Sequence, residues 1–351
     1  MEPSTLRLLD ANANRAREGL RTAEDFVRFS FGDVFWARRL RTFRHEITST
    51  CLKHFPDTEF IHARRVASDC GSATNAPQVE QKVSKSSAHD VAVRGLKRAQ
   101  EAVRVLEEYS RGQYPAAAQA FSEIRFRIYE AEAWLLAGYP STQRLMGSKL
   151  YVLITEALCK SDWKKTAQAA LKGGAQIIQL REKTLEAEEI LRRARTLQEL
   201  CAAANALFVV NDRVDVALAS GASGVHLGQQ DLAPQEAKRI AGEHYLVGRS
   251  THSVEQAKKA VEQERADYIG IGAMYLTASK EKEKLLIRGP ELARDVMKAE
   301  LGVPIFAIGG ITKARVKELR EVGVNRIAVT TAVAGADDPE KAAAELRELL
   351  E

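Results

Sequence analysis

From about residue 149 to residue 351, short apolar runs alternate with longer amphipathic stretches, eight times over. The runs are YVLIT from Tyr151, AQIIQL from Ala175, LFVV from Leu207, GVHL from Gly224, YLVG from Tyr245, DYIGI from Asp267, PIFAI from Pro304 and RIAVT from Arg326. A strand that is apolar throughout suits a sheet buried on both faces, and the helix-like segments between the runs supply the covering layer. Among those segments are 162–172, 186–204, 234–241, 254–264, 290–300 and 312–321. A doubly wound sheet normally uses fewer strands, whereas eight such units in about 200 residues match the smallest usual (β/α)8 barrel. The expected fold class is therefore α/β, a TIM barrel over residues 149–351.

The preceding residues have another period. Ala16, Leu20, Ala23 and Val27 recur at helical spacing, and strand alternation is hard to find before residue 138. An all-α domain is expected over residues 1–138, with 139–148 (YPSTQRLMGS) as a linker. The domain also repeats itself: NRAREGLRTAEDFVR from Asn14 matches KRAQEAVRVLEEYSR from Lys97 at an offset of 83, and FRHEI at Phe43 pairs more loosely with IRFRI at Ile124. Two such copies make a pseudo-symmetric bundle and are too few for a solenoid. The polar stretch between them, from Ala67 to Asp90, reads as a loop.

Charge narrows the partners. With 52 basic against 47 acidic residues the net charge is +5, and no long block has one sign. Nucleic acid is not expected as a partner; small anionic molecules are. Cys51, Cys70, Cys159 and Cys201 lie too far apart for a zinc or redox motif and read as reduced thiols. No signal sequence and no apolar run long enough for a membrane span is visible, so a cytoplasmic location is expected. Oligomeric state is not legible, and a homo-oligomer stays open.

In such barrels chemistry sits at the C-terminal ends of the strands. Strand two runs into Gln179-Leu180-Arg181-Glu182-Lys183, strand three into Asn211-Asp212-Arg213, and strand four into Gly228-Gln229-Gln230-Asp231. Strand five ends near Ser250-Thr251-His252, strand six reaches Thr277-Ala278-Ser279-Lys280, strand seven ends at Gly309-Gly310 and strand eight at Thr330-Thr331. Asp212 and Asp231, flanked by Asn211 and Gln229, form an all-oxygen set that suits Mg²⁺ and not zinc. Arg181, Lys183 and Lys280 bring positive charge to the same face, enough to neutralise a diphosphate together with a metal. Glycines and hydroxyls after strands seven and eight fit the phosphate place common in these barrels. Two anions are thus expected: a metal-bound diphosphate and a separate monophosphate.

Taken in order, QLREK, VVNDRVDVAL, GVHLGQQD, VGRSTHS, DYIGIGAMYLTASK, FAIGGI and AVTTAV resemble the thiamine phosphate synthase family over the whole barrel. The resemblance implies a Mg²⁺-dependent transferase that condenses hydroxymethylpyrimidine diphosphate with a thiazole phosphate. It carries pyrimidine diphosphate binding to Gln179, Leu180, Arg181, Glu182, Lys183, Asn211, Ser250 and Lys280. Thiazole phosphate contacts fall on Thr277, Ala278, Ser279, Gly310, Thr330 and Thr331, and the metal ligands on Asp212 and Asp231. Catalytic charge stabilisation falls on Arg181, Lys183 and Lys280. The sequence departs from the family pattern in three places: Thr277-Ala278-Ser279-Lys280 stands where Thr-x-Thr-Lys is usual, Gln230 replaces a common glutamate, and Thr330-Thr331 stands for a hydrophobic-Ser pair.

Plainer readings compete. An aspartate after a strand is often a helix N-cap. His226, inside GVHL, reads as a buried, hydrogen-bonded core histidine; His252 stays undecided. Gly270 and Gly272 lack the third glycine of a dinucleotide fingerprint. The ladder Arg15, Glu18, Arg21, Asp25, repeated at Arg98, Glu101, Arg104, Glu108, reads either as a solvated face or as a ligand site shared by the repeats. The stretches LLDANANRAREGLRTAEDF, RHEI, RRVASDCG and KRAQEAVRVLEEYSR resemble the helical domain fused to some thiamine phosphate synthases and described as an alternative hydroxymethylpyrimidine phosphate kinase. No P-loop motif is present, so an ATP site there would need another design, and an oligomerisation or docking module is the alternative. For the barrel, the rival readings are a thiazole tautomerase and a non-catalytic thiazole phosphate sensor; the two aspartates and the intact QLREK speak against both.

Overall fold

The computed structural model describes residues 2–55, 87–277 and 287–351. The expected loop up to residue 86, Cys70, and three expected site residues, Ala278, Ser279 and Lys280, lie outside them. The chain divides into two compact units, residues 1–136 and 137–351.

The first unit is helical. α1 (Pro3–Asp25) runs into a π-helical turn, Phe26–Phe31, and α2 spans Val34–His54. α3 (Ala88–Ser110) and α4 (Pro115–Ala133) form the second hairpin, followed by a π turn at Trp134–Gly138. The polar stretch ends where α3 begins: Ser87 caps the helix reciprocally with Asp90, each side chain taking the other's backbone N–H. Burial follows the helical period, since Ala16, Leu20, Ala23 and Val27 are all essentially inaccessible. The repeat is visible in the packing. α1 crosses α3 closely at Gly19 and Gly95, where a Cβ on Gly19 would lie 2.4 Å from the Gly95 carbonyl oxygen. Glu46 and Arg127, equivalent in the two copies at the offset of the Phe43 and Ile124 match, form an ion pair with each other.

The second unit opens with α5 (Tyr139–Gly147), so the segment expected to be a linker is largely helical. Pro140 sits in its first turn, where a missing N–H costs nothing. Eight parallel strands then close in sequential order: β1 (Leu150–Ile154), β2 (Ile177–Leu180), β3 (Leu207–Asn211), β4 (Gly224–Leu227), β5 (Leu246–Thr251), β6 (Tyr268–Gly272), β7 (Ile305–Ile308) and β8 (Ile327–Val329). The helices between them are α6 (Trp163–Lys172), α7 (Ala187–Ala203), α8 (Val214–Ser220), α9 (Pro234–Ala241), α10 (Val254–Lys258), α11 (Gly289–Met297) and α12 (Lys313–Glu321). Two more, α13 (Thr331–Ala334) and α14 (Pro339–Glu348), follow the last strand. The TIM barrel expected from the alternating runs is therefore present.

Closure creates two cores. Val152, Ile178, Phe208, Val225 and Ile269 point out to the helices, while Tyr151, Leu153, Ile177, Val209, Tyr268, Phe306 and Ala328 fill the lumen. Leu145 of α5 joins the lumen cluster, so this helix contributes an apolar residue to the barrel interior.

The close crossing at Gly19 yields a test in which two effects oppose. Replacing a mid-helix glycine by alanine ordinarily gains about 1 kcal/mol of helix propensity. Here the new methyl meets backbone, so α1 and α3 must part, at a cost of roughly 1–3 kcal/mol. Gly19→Ala is expected to lower the urea midpoint of the helical unit; a raised midpoint would show that the crossing gives way freely.

Candidate functional site

The strand ends enclose a cavity of about 460 Å³. Gln179, Arg181, Lys183, Asn211, Asp212, Asp231, Ser250, Thr277, Gly310, Thr330 and Thr331 all line it, together with Gln229, His226 and His252. Leu180 and Glu182 do not. Leu180 alternates outward into the strand–helix core. The Glu182 carboxylate is turned to Arg193 (3.2 Å) and accepts the Glu156 N–H (2.9 Å), so its charge is spent on holding the β1 and β2 loops to α7. The side chains of these two expected binding residues therefore lie off the cavity.

Neither aspartate caps a helix. The residue before α8 is Arg213, that before α9 is Ala233, and no side-chain cap is made at either. Asp212 instead takes a left-handed backbone conformation (φ 63°) while its N–H is held by the His226 carbonyl at 2.8 Å. Such a conformation costs a non-glycine residue about 1–3 kcal/mol and persists where the surroundings impose it. Its carboxylate bonds Lys183 Nζ at 2.5 Å. Asp231 accepts the Gly228 N–H at 2.7 Å. Burial, aided by the Asp212 carboxylate facing it, pushes the Asp231 carboxyl above its ordinary range, although the Gly228 bond opposes this. Two carboxylates face each other here with Lys183 bonded to one of them and Arg181 near it, and their hard oxygens suit a small divalent cation that keeps waters and a phosphate ligand. The described residues contain no group of three or more His, Cys, Asp or Glu that could hold a metal alone. Asp212 and Asp231 thus fit Mg²⁺ shared with a substrate and do not fit a closed structural site.

Arg181, half-buried, is lowered from its ordinary value by desolvation, against which Asp212 and Glu182 act. Across the mouth, Gly309 and Gly310 take left-handed conformations that side chains rarely adopt. A Cβ on Gly310 would also lie 2.3 Å from the Leu276 carbonyl oxygen, so only glycine lets the loops after β6 and β7 meet. Thr330 and Thr331 complete this side.

Sequence reasoning missed the floor. Tyr151, Tyr268 and Phe306 reach the cavity from below, with the tyrosine hydroxyls 3.1 Å apart and Gln179 Nε2 donating to Tyr151 at 2.6 Å. His226 is not in the apolar core: it faces the cavity and hydrogen-bonds Tyr268 through Nδ1 (3.3 Å) and Ser250 Oγ through Nε2 (3.0 Å). His252 Nδ1 bonds the Gly272 carbonyl at 2.5 Å. Arg249 was also missed; nearly buried, it donates to the carbonyls of Gly228 (2.7 Å) and Leu232 (2.9 Å) and so fixes the loop that carries Asp231.

The thiamine monophosphate synthase family matches residues 150–333, and the ThiD2 family matches residues 7–134. The thiamine-phosphate synthase of Synechocystis sp. is 38% identical over 341 residues, covering 97% of this chain and 94% of its own length. That of Rhodopirellula baltica is 34% identical over 359 residues, covering 99% and 93%. Among solved structures, thiamine phosphate pyrophosphorylase from Pyrococcus furiosus is 38% identical with a TM-score of 0.53, covering 60% of this chain and 96% of that one. With relatives matched along nearly their whole length and a barrel whose strand ends converge on one cavity, the chain belongs to the thiamine-phosphate synthase family.

Proposed function

We propose that the barrel joins hydroxymethylpyrimidine diphosphate to hydroxyethylthiazole phosphate, giving thiamine phosphate and diphosphate. The observation that carries this reading is the pairing of Asp212 with Asp231 at one side of a cavity whose other side is the glycine- and threonine-built mouth of β7 and β8. One side suits a metal-bound diphosphate, the other a monophosphate, and the space between them is floored by aromatic rings.

In the reaction the thiazole nitrogen forms a bond to the pyrimidine methylene carbon as the carbon–oxygen bond to diphosphate breaks, and the electron pair leaves with diphosphate. A side-chain nucleophile has no part in it. Stabilising the departing charge and holding the two rings in line are the protein's tasks. Mg²⁺, bound by Asp212 and Asp231, would supply Lewis-acid neutralisation of the diphosphate oxygens. Arg181 and Lys183 lie on the same wall and add charge-assisted hydrogen bonds, Arg181 with a fork that two phosphate oxygens can take at once. Lys280 is assigned a third such contact. Gln179 and Asn211 orient the pyrimidine half, as does Ser250, whose hydroxyl is aimed by His226. Thr277, Gly310, Thr330 and Thr331, with Ala278 and Ser279, receive the thiazole phosphate. For the helical unit the reading is a kinase that makes the pyrimidine diphosphate, supported by its match to the ThiD2 family and by an arginine-lined groove between α1 and α2.

Asp212→Asn and Asp231→Asn should each cut thiamine phosphate formation by more than about a hundredfold with the fold intact by circular dichroism, because even groups behind a metal ligand typically contribute 10–100-fold. Full turnover in excess EDTA would remove the metal from the scheme.

Thr331→Val should raise KM for thiazole phosphate by about tenfold, one hydrogen bond to a charged group, while leaving KM for the pyrimidine diphosphate unchanged. Equal rises for both substrates would merge the two anion sites into one.

The full chain, given pyrimidine monophosphate, ATP and thiazole phosphate, should form thiamine phosphate. If product appears only when a separate kinase is added, the helical unit has a different task.

A further inference from the structure

The helical unit carries a groove of about 990 Å³ between α1 and α2, lined by Arg17, Glu18, Arg21, Arg41, Arg44 and His45, with the hydroxyls of Thr22, Thr42, Thr48 and Ser49 among them. Its base is a buried carboxylate. Glu24, 1% exposed, takes Arg41 on one oxygen (2.9 Å) and Arg44 on the other (2.9 Å). Two arginines therefore share a single negative charge and hold fixed orientations at the wall of the groove, and the Arg44 Nε finds no acceptor there. Arg17 adds a further positive charge. Its guanidinium donates to Asn14 Oδ1 and to Thr48 Oγ1 (3.4 Å), both neutral, and it has no carboxylate partner among the described residues. The other acids nearby are mostly spent: Asp25 on Arg21 and Glu46 on Arg127. Glu18 remains as an acceptor on the same wall.

The internal repeat shows that this groove is more than a by-product of the bundle. At the offsets read from sequence, Glu24 corresponds to Glu107 and Arg44 to Arg125, and the second copy holds the same buried pair, with Arg125 Nε 2.8 Å from Glu107. The framework is thus common to both halves. What surrounds it differs. Arg17 corresponds to Gln100, which is tied to Glu132 (2.8 Å); Arg41 corresponds to Ser122. His45 and Thr48 correspond to Phe126 and Tyr129, whose rings lie 4.7 and 5.4 Å from the Arg125 guanidinium, with the Tyr129 hydroxyl accepting from Arg125 at 3.0 Å. In the second copy aromatic side chains cover the arginine and satisfy it. In the first copy those positions carry a histidine and a threonine, and the guanidinium groups face open space. Convergent arginines are common to both copies, since Glu107 takes Arg104 and Arg111 beside Arg125, and what sets the first copy apart is that no aromatic side chain closes over its guanidinium groups.

We infer that this groove is an anion site, and that it takes a phosphate-bearing small molecule, held by Arg17, Arg41 and Arg44, whose planar forks match phosphate oxygens. The site lies within the helical unit and is separate from the cavity of the barrel. It rests on the groove and the repeat alone, and stands whether or not the barrel reading or the kinase reading holds.

Calorimetric titration of the full chain with inorganic diphosphate tests it. Two classes of site are expected, one of which disappears in Arg181→Gln, a change confined to the barrel. In that background Arg17→Gln should weaken the remaining class by about ten- to a hundredfold, the worth of a charge-assisted hydrogen bond. The double substitution His45→Phe with Thr48→Tyr, which installs the side chains of the second copy, should abolish it while thermal unfolding stays cooperative. Synthesis from preformed pyrimidine diphosphate should be unchanged in all the helical-unit variants. A single class of site in the wild type, no class surviving Arg181→Gln, or unaltered affinity in both helical-unit variants would overturn the assignment.

Discussion

Eight strands closed on themselves leave an interior in which every inward side chain must be satisfied by another. In this barrel the lumen is packed by aromatic rings and aliphatic side chains, and the tyrosines among them bring hydroxyls that water does not reach. An unpaired buried hydroxyl costs about 1–3 kcal/mol, so these groups are bound to find partners. They find one another. Gln179 donates to Tyr151, Tyr151 pairs with Tyr268, Tyr268 meets His226, and His226 meets Ser250. Burial pushes both phenols up from their ordinary values, which keeps the chain of hydroxyls neutral. The consequence reaches the surface of the cavity: Gln179 on β2 and Ser250 on β5 are oriented by the same buried network.

The carboxylate side of the site depends on a different economy. Asp212 sits in a strained backbone conformation, and Asp231 is held by the Gly228 N–H in a loop that Arg249 clamps through two carbonyls. Both devices work against what the side chains would choose alone, since like charges repel and the left-handed region is unfavourable. Lys183 relieves part of the repulsion. A cation shared between the aspartates would relieve the rest, which is why the arrangement reads as a binding site held ready and not as a structural ion pair.

The barrel was legible because a parallel sheet buried on both faces writes continuous apolar runs, and eight of these with helices between them leave few alternatives. Residues at the strand ends were legible for the same reason: Arg181, Asp212, Asp231 and Thr331 interrupt apolar runs where the fold puts its chemistry. The same physics hid the floor. With both faces of a strand apolar, alternation carries no signal, so nothing in Tyr151, Tyr268 or Phe306 marks them as facing the lumen, and His226 inside GVHL looked like a core residue. Within QLREK, Leu180 and Glu182 belong to the opposite face, and only the pleat of β2 and the partner Arg193 separate them from Gln179 and Arg181. The segment 139–148 read as a linker from its Pro, Ser and Gly content, but Pro140 lies in a first turn, where proline favours a helix.

In the helical unit the repeat supplies its own control. Both copies retain a glutamate buried against an arginine, and breaking such a pair strands a charge, at about 3–5 kcal/mol. That penalty explains why Glu24 with Arg44 and Glu107 with Arg125 remain equivalent while their neighbours have parted. The ladder seen in sequence divides accordingly. Arg21 with Asp25 and Arg104 with Glu108 are exposed pairs one helical turn apart, of the kind worth only a few tenths of a kcal/mol. Their recurrence follows from the shared helix and carries no ligand by itself. The informative residues are those the repeat does not share, Arg17, Arg41, His45 and Thr48, because a difference between two copies on one framework cannot come from the needs of the framework.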